Sequence, residues 1–247
     1  MHLSQPKDRS DFPFYAGVPV SLSGPQWLVV LAGVAIAFYL LTASWTHPQQ
    51  PWGMWIPVLL FCGVPLAALA LVAGRHWTAL FHRLSGRDLQ LMVRIAALNL
   101  VVTLLVGALV TGLHHGSANP LFQSMGGADA TTRIMAFAAM VPQLLGEELL
   151  TILPFLALLW CLSTRLKLQR RTAVVVAWVL SAIPFALLHL PTYQWDLIQC
   201  LVIIGSARLV LSLAYLFSRN LWVSTGAHVI NDWTLFGAGL WLGSMAH

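Results

Sequence analysis

The sequence predicts an all-α, polytopic transmembrane bundle of about seven spans. Apolar residues make up 58% of the 247 and charged ones only 9%, far below the roughly 25% typical of a soluble domain. The apolar residues fall into seven runs, six of them close to the roughly 20 residues a membrane-spanning helix needs and one longer. Lys and Arg sit mostly in the short connections between runs.

The runs extend over about Gln26–Ser44, Gly53–Gly74, Leu91–Leu113, Thr132–Ser163, Thr172–Leu190, Leu197–Phe217 and Leu221–Leu242. The fourth is long enough for Pro142, Gly146 and Pro154 to divide it, which would make eight spans. The connections are HPQQP, RHWTALFHRLSGRD, HHGSANP, RLKLQRR, LPTYQWD and SRN. No inserted soluble domain or repeat interrupts them, so residues 1–247 read as one transmembrane domain, with residues 1–25 a polar extension.

Charge sets the orientation. Lys7 and Arg9 precede the first run; Arg75, Arg83 and Arg87 follow the second; Arg165, Lys167, Arg170 and Arg171 follow the fourth; Arg219 follows the sixth. The alternate connections contain neither Lys nor Arg. The positive-inside rule then places the N-terminus in the cytoplasm, and the expected location is a bacterial cytoplasmic (inner) membrane. The net charge of +5 is explained by this topology, and no basic patch interleaved with aromatics indicates nucleic acid. Cys62, Cys161 and Cys200 lie in apolar runs without a CxxC pair, so no disulfide framework or thiolate zinc site is expected. The tryptophans, Trp45, Trp52, Trp55 and Trp241 among them, read as interfacial anchors. His76, His82, His114 and His115 lie in connections, where histidine is ordinary.

The chemistry points to the apolar runs. Glu147 and Glu148 are adjacent inside the fourth, in PQLLGEELLTI. A carboxylate in hydrocarbon is costly and marks a functional site by default. Neighbours on a helix point about 100° apart, so one glutamate can act on water or substrate while the other holds a partner. His189 ends SAIPFALLH, and His228 and Asp232 stand one turn apart in TGAHVINDW, with Asn231 between them. Two histidines and one or two carboxylates (His189, His228 and Glu147, with Asp232 either a further ligand or a partner behind the ligands) suit a catalytic zinc with an open position. The same groups can also work without metal, with Glu147 activating water and the histidines and Asn231 stabilising an oxyanion. Arg208, in the sixth run, needs an anionic partner, and Glu147, Glu148 and Asp232 are the candidates. There is no HExxH or GxSxG pattern.

Straight helices do not bring these groups together easily. His189 falls near the non-cytoplasmic end of the fifth run, whereas His228 lies roughly 13 Å along the seventh from its cytoplasmic start. A shared site requires a tilted or broken helix or a different span count, and the long fourth run is the expected place of the break.

The constellation resembles the CAAX-processing and bacteriocin-processing (CPBP, or Abi) intramembrane protease family, whose signature is EExxxR, then FxxxH, then HxxxN or HxxxD. The counterparts here are Glu147-Glu148-Leu149-Leu150-Thr151-Ile152, Phe185-Ala186-Leu187-Leu188-His189 and His228-Val229-Ile230-Asn231-Asp232. The resemblance implies an intramembrane endopeptidase acting on a membrane-associated, prenylated or sorting-signal peptide. Glu147 would be the water-activating base and Glu148 its support. His189 and His228 would contact water, metal or oxyanion, and Asp232 would complete the arrangement. The cofactor implied is either none or one Zn2+, since the family is described both as glutamate-type and as metal-dependent. The family arginine is Ile152 here, and Arg208 is the candidate to supply its charge. A non-catalytic membrane binding or immunity protein and a proton-coupled transporter are the alternative functions.

Overall fold

The computed structural model describes residues 11–46, 53–114, 116–117 and 119–245. Lys7, Arg9, Trp52, His115 and the HPQQP connection lie outside the described residues, as does the side chain of Trp45.

The described residues form eight α-helices and no sheet: α1 (Gly24–Thr42), α2 (Trp55–Ala73), α3 (Gly86–Leu113), α4 (Pro120–Gly126), α5 (Ala130–Trp160), α6 (Arg170–Leu187), α7 (Gly205–Ser218) and α8 (Leu221–Met245). Local chemistry sets several starts. Ser23 and Gln26 form a capping box at α1, Ser85 and Asp88 another at α3, and the Asp129 side chain accepts the Thr132 N–H at α5. Six helical stretches are long and apolar enough to cross a membrane: α1, α2 with its continuation to Leu80, α3, α5 with its continuation to Arg165, α6, and residues Gln199–Ser218. At 25 residues α8 has the length of a seventh, but His228, Asn231 and Asp232 make it more polar. The chain is therefore an integral membrane protein.

Helix α5 is the axis of the bundle. It packs on α1, α2, α6 and α8, while α3 packs on α7 and α8. Its residues Leu149, Ile152, Leu153, Phe155 and Leu156 are fully buried in the main core. The expected break in the fourth run does not occur. Pro142 and Pro154 lie within one continuous helix of 31 residues, held between its neighbours. Gly146 permits the closest approach, because a Cβ there would stand 2.3 Å from the Phe61 ring of α2.

The irregularity sits instead between α6 and α7. Helix α6 stops at Leu187, so His189 lies in a turn rather than on the helix expected to carry it. Leu190 precedes Pro191, a context that disfavours helical backbone. The chain re-enters through a π-helical turn, Gln199–Ile204, before α7. This short helix, turn and wide re-entry remove the axial conflict between His189 and His228, and the two line one cavity.

Residues 11–22 are more than a polar extension. Phe12, Phe14, Tyr15 and Leu22 are buried in the main core. Phe12 meets Phe155 edge-on at 5.2 Å and stacks with Tyr215 at 6.1 Å. The Arg170 guanidinium pairs with Asp11, donates to the Tyr15 hydroxyl, and lies over the Phe12 ring. Burial works against ionising Asp11, but hydrogen bonds from Arg170, Tyr15 and the Phe12 N–H outweigh it, so its carboxyl titrates below its ordinary range.

Candidate active site

A cavity of about 700 Å³ opens among α3, α4, α5, α7, α8, Asn119 and the connection 189–199. Glu147, His189, Arg208, His228, Asn231 and Asp232 all line it. Of the sequence-predicted site residues, only Glu148 is behind the wall.

The two glutamates have different environments, as their angular offset on α5 requires. The Glu148 side chain is wholly buried and contacts two cationic or potentially cationic groups through one oxygen. Its Oε1 lies 2.7 Å from Arg208 Nη2 and 2.9 Å from His228 Nδ1. Arg208 is also wholly buried, and its guanidinium lies over the Phe185 ring at 4.9 Å. Of the three partners the sequence left open for Arg208, the structure places it on Glu148. Ile152, one turn beyond Glu148, is fully buried among apolar side chains. The cation near Glu148 thus comes from α7 instead of from its own helix.

Glu147 faces the cavity, with 15% of its side chain exposed. His228 connects the two carboxylates. Its Nδ1–H donates to Glu148, which turns Nε2 toward the cavity. Nε2 is 3.8 Å from Glu147 Oε2 and 3.7 Å from Asp232 Oδ1. Both separations are too long for direct hydrogen bonds and suit an intervening water or substrate atom.

His189 Nδ1 donates to the Phe185 carbonyl at 2.8 Å, so Nε2 is its remaining ring nitrogen. Asn231 donates from Nδ2 to Asp232 Oδ1 at 2.9 Å and accepts at Oδ1 from Asn99 Nδ2 at 3.0 Å. Asn99 went unnoticed in the sequence, although an amide in the apolar third run was a legible signal. Tyr193 was missed as well. Its hydroxyl accepts from Asn119 Nδ2 at 3.1 Å in the cavity wall. Burial and the negative charges of Asp232 and Glu147 push its phenol above the ordinary range, despite the opposing Asn119 contact, so Tyr193 stays neutral.

The zinc set does not assemble. Among the described residues, no group of three or more His, Cys, Asp or Glu side chains is arranged to hold a metal ion. The arrangement of His189, His228 and Glu147 therefore does not form a ready ligand sphere.

Residues 128–234 match the family model described as type II CAAX prenyl endopeptidase Rce1-like. That stretch is similar to the CAAX-protease family. The matched stretch begins just before α5 and ends two residues after Asp232, so it contains both glutamates, both histidines and Arg208, but not α1–α3 or Asn99. Neither the curated proteins nor the solved structures provide a match to the chain.

Proposed function

We propose that the chain is an intramembrane endopeptidase that hydrolyses a peptide bond in a membrane-associated substrate, with Glu147 as the base that activates water. The division between the glutamates carries this reading: Glu147 borders the cavity, while Glu148 is buried behind it and contacts His228 and Arg208.

A water placed between Glu147 Oε2 and His228 Nε2 can lose a proton to Glu147 as its oxygen attacks the scissile carbonyl. Glu147 then returns that proton to the leaving amine. The carbonyl oxygen, as it becomes an oxyanion, needs donors facing the cavity, and His228 and the Asn231 amide are the nearest candidates. For this His228 must carry a proton on Nε2 while its Nδ1–H donates to Glu148. Asp232 holds Asn231 from one side. His189 borders the same space and positions substrate or water. Arg208 offsets the charge of Glu148, which keeps that carboxylate available to His228.

The substrate reaches the cavity within the bilayer or from the end formed by Asn119, Pro120 and the connection 189–199. Under the positive-inside assignment this end is non-cytoplasmic. The apolar wall formed by Met140, Leu144, Leu235 and Phe236 suits an apolar segment, such as a prenylated or sorting-signal peptide.

The test compares membrane-peptide fragments from cells expressing the wild type with those expressing Glu147→Gln or His228→Ala. Fragments present only with the wild type, and reproduced by purified protein in detergent, support the reading. Their persistence with both variants overturns it. Solute flux driven by a proton gradient, without cleavage, would favour the transporter. An unchanged cellular effect with Glu147→Gln would favour the binding protein.

A further inference from the structure

Asn99 is an amide near the middle of α3, in a mostly apolar stretch of that helix. It is 1% exposed, and a buried amide is costly unless hydrogen-bonded. Its only side-chain hydrogen bond among the described residues runs from Nδ2 to Asn231 Oδ1, at 3.0 Å. Asn99 Oδ1 has no partner among them, and the residue borders the cavity.

The bond fixes a direction. Asp232 Oδ1 accepts from Asn231 Nδ2, so the carboxylate requires the Asn231 amide to present its NH2 group. Asn231 Oδ1 must then face the opposite way, toward α3, and it can be met there only by a donor. Asn99 supplies it. The result is a one-way relay, Asn99 to Asn231 to Asp232, ending on the oxygen 3.7 Å from His228 Nε2. Without the α3 donor, Asn231 Oδ1 is left buried without a partner, and the Asp232 carboxylate alone holds the amide in this orientation. A flipped amide would set its oxygen against the Asp232 carboxylate and free that carboxylate to swing.

We propose that Asn99 is a positioning residue of the active site, holding the Asn231 amide in the one orientation that secures Asp232 beside His228. This rests on the hydrolytic reading above for its consequence, but the relay itself is independent of it. It also gives α3, which lies outside the matched stretch, a part in the site.

The experiment uses the full chain purified in detergent, with Asn99→Asp as the principal variant. This nearly isosteric change replaces the donor with a carboxyl, and measurement at alkaline pH keeps it ionised, an acceptor facing Asn231 Oδ1. With a confirmed peptide substrate, kcat should fall by roughly 10- to 100-fold with KM unchanged, the pattern of misplaced groups rather than lost binding. Melting temperatures test the relay without substrate. Adding Asp232→Asn should raise the Tm of Asn99→Asp, because an amide at 232 can donate to a flipped Asn231. That gain should vanish when Asn231 is Ala, which separates the relay from simple charge repulsion. A gain that persists without Asn231, or no gain at all, overturns the relay. A relay intact by Tm with wild-type kcat in Asn99→Asp overturns the positioning role. A wild type that cleaves no peptide refutes the hydrolytic reading, while the Tm series still decides whether the relay exists.

Discussion

The α1–α2 pair and the α3–α5–α7–α8 group are both built from apolar helices, yet they hold together differently. The first is a contact of small and apolar surfaces. A Cβ on Gly33 would fall 2.5 Å from Ala68 Cβ, so the absence of a side chain there is what lets the two helices meet. The second group buries an arginine, a glutamate, a histidine and two asparagines, each paired across helices. Close packing needs only shape. A buried polar cluster needs every partner present, and leaving one unpaired is expensive. Residues kept at that cost are where chemistry is to be sought, and in this chain they surround the cavity.

Breaking the polar group should have the larger effect on stability. Arg208→Leu leaves the Glu148 carboxylate buried without its cation, a loss expected to be about 3–5 kcal/mol. A large drop in Tm in detergent, together with lost activity, is the expected outcome. An unchanged Tm would mean that the pair contributes little to holding α5 against α7.

Gly33→Ala probes the apolar pair. Overpacking at a site where neither Ala68 nor the backbone can turn aside should cost about 1–3 kcal/mol. Because Gly33 is outside the cavity lining, cleavage at a temperature well below Tm should remain at the wild-type rate. If activity fell as steeply as with Arg208→Leu, the contrast between the two regions would fail.

The smallest effect is expected at the docked N-terminal segment. The folded carboxyl of Asp11 titrates below its ordinary value of 3.8. Its contribution is therefore present above that value and lost as pH falls through the lower, folded one. Both partners are partly exposed, so solvent screening keeps the pair below about 1 kcal/mol. Melting curves from neutral pH to below pH 4 should show a small acid-dependent loss that Asp11→Asn abolishes. The same acid loss in that variant would assign it to other groups.

Much of this contrast can be read from the sequence, because hydrocarbon makes every polar residue conspicuous. The helical class follows from run lengths, and Glu147, Glu148, His189, Arg208, His228, Asn231 and Asp232 stand out as intramembrane polar groups. What was not legible depends on three-dimensional packing. Prolines suggested a break in the fourth run, but neighbours on several sides keep α5 continuous. The irregular stretch lies after α6, where only Pro191 hinted at it. The polar look of residues 1–25 hid three aromatic side chains that enter the core. Asn99 was passed over because an asparagine is less conspicuous than a charge, and its partner lies 132 residues away.

The central claim is that the adjacent glutamates have different work, Glu147 in catalysis and Glu148 in holding the site. The most direct measurement is single-turnover cleavage of one confirmed membrane peptide by wild type, Glu147→Gln and Glu148→Gln, with Tm recorded for each. Glu147→Gln should lose at least about 10²-fold in the cleavage step while its Tm stays at the wild-type value. Glu148→Gln should lose both Tm and activity. Wild-type cleavage by Glu147→Gln would contradict the account, and so would a Glu148→Gln protein that lost cleavage with no change in Tm.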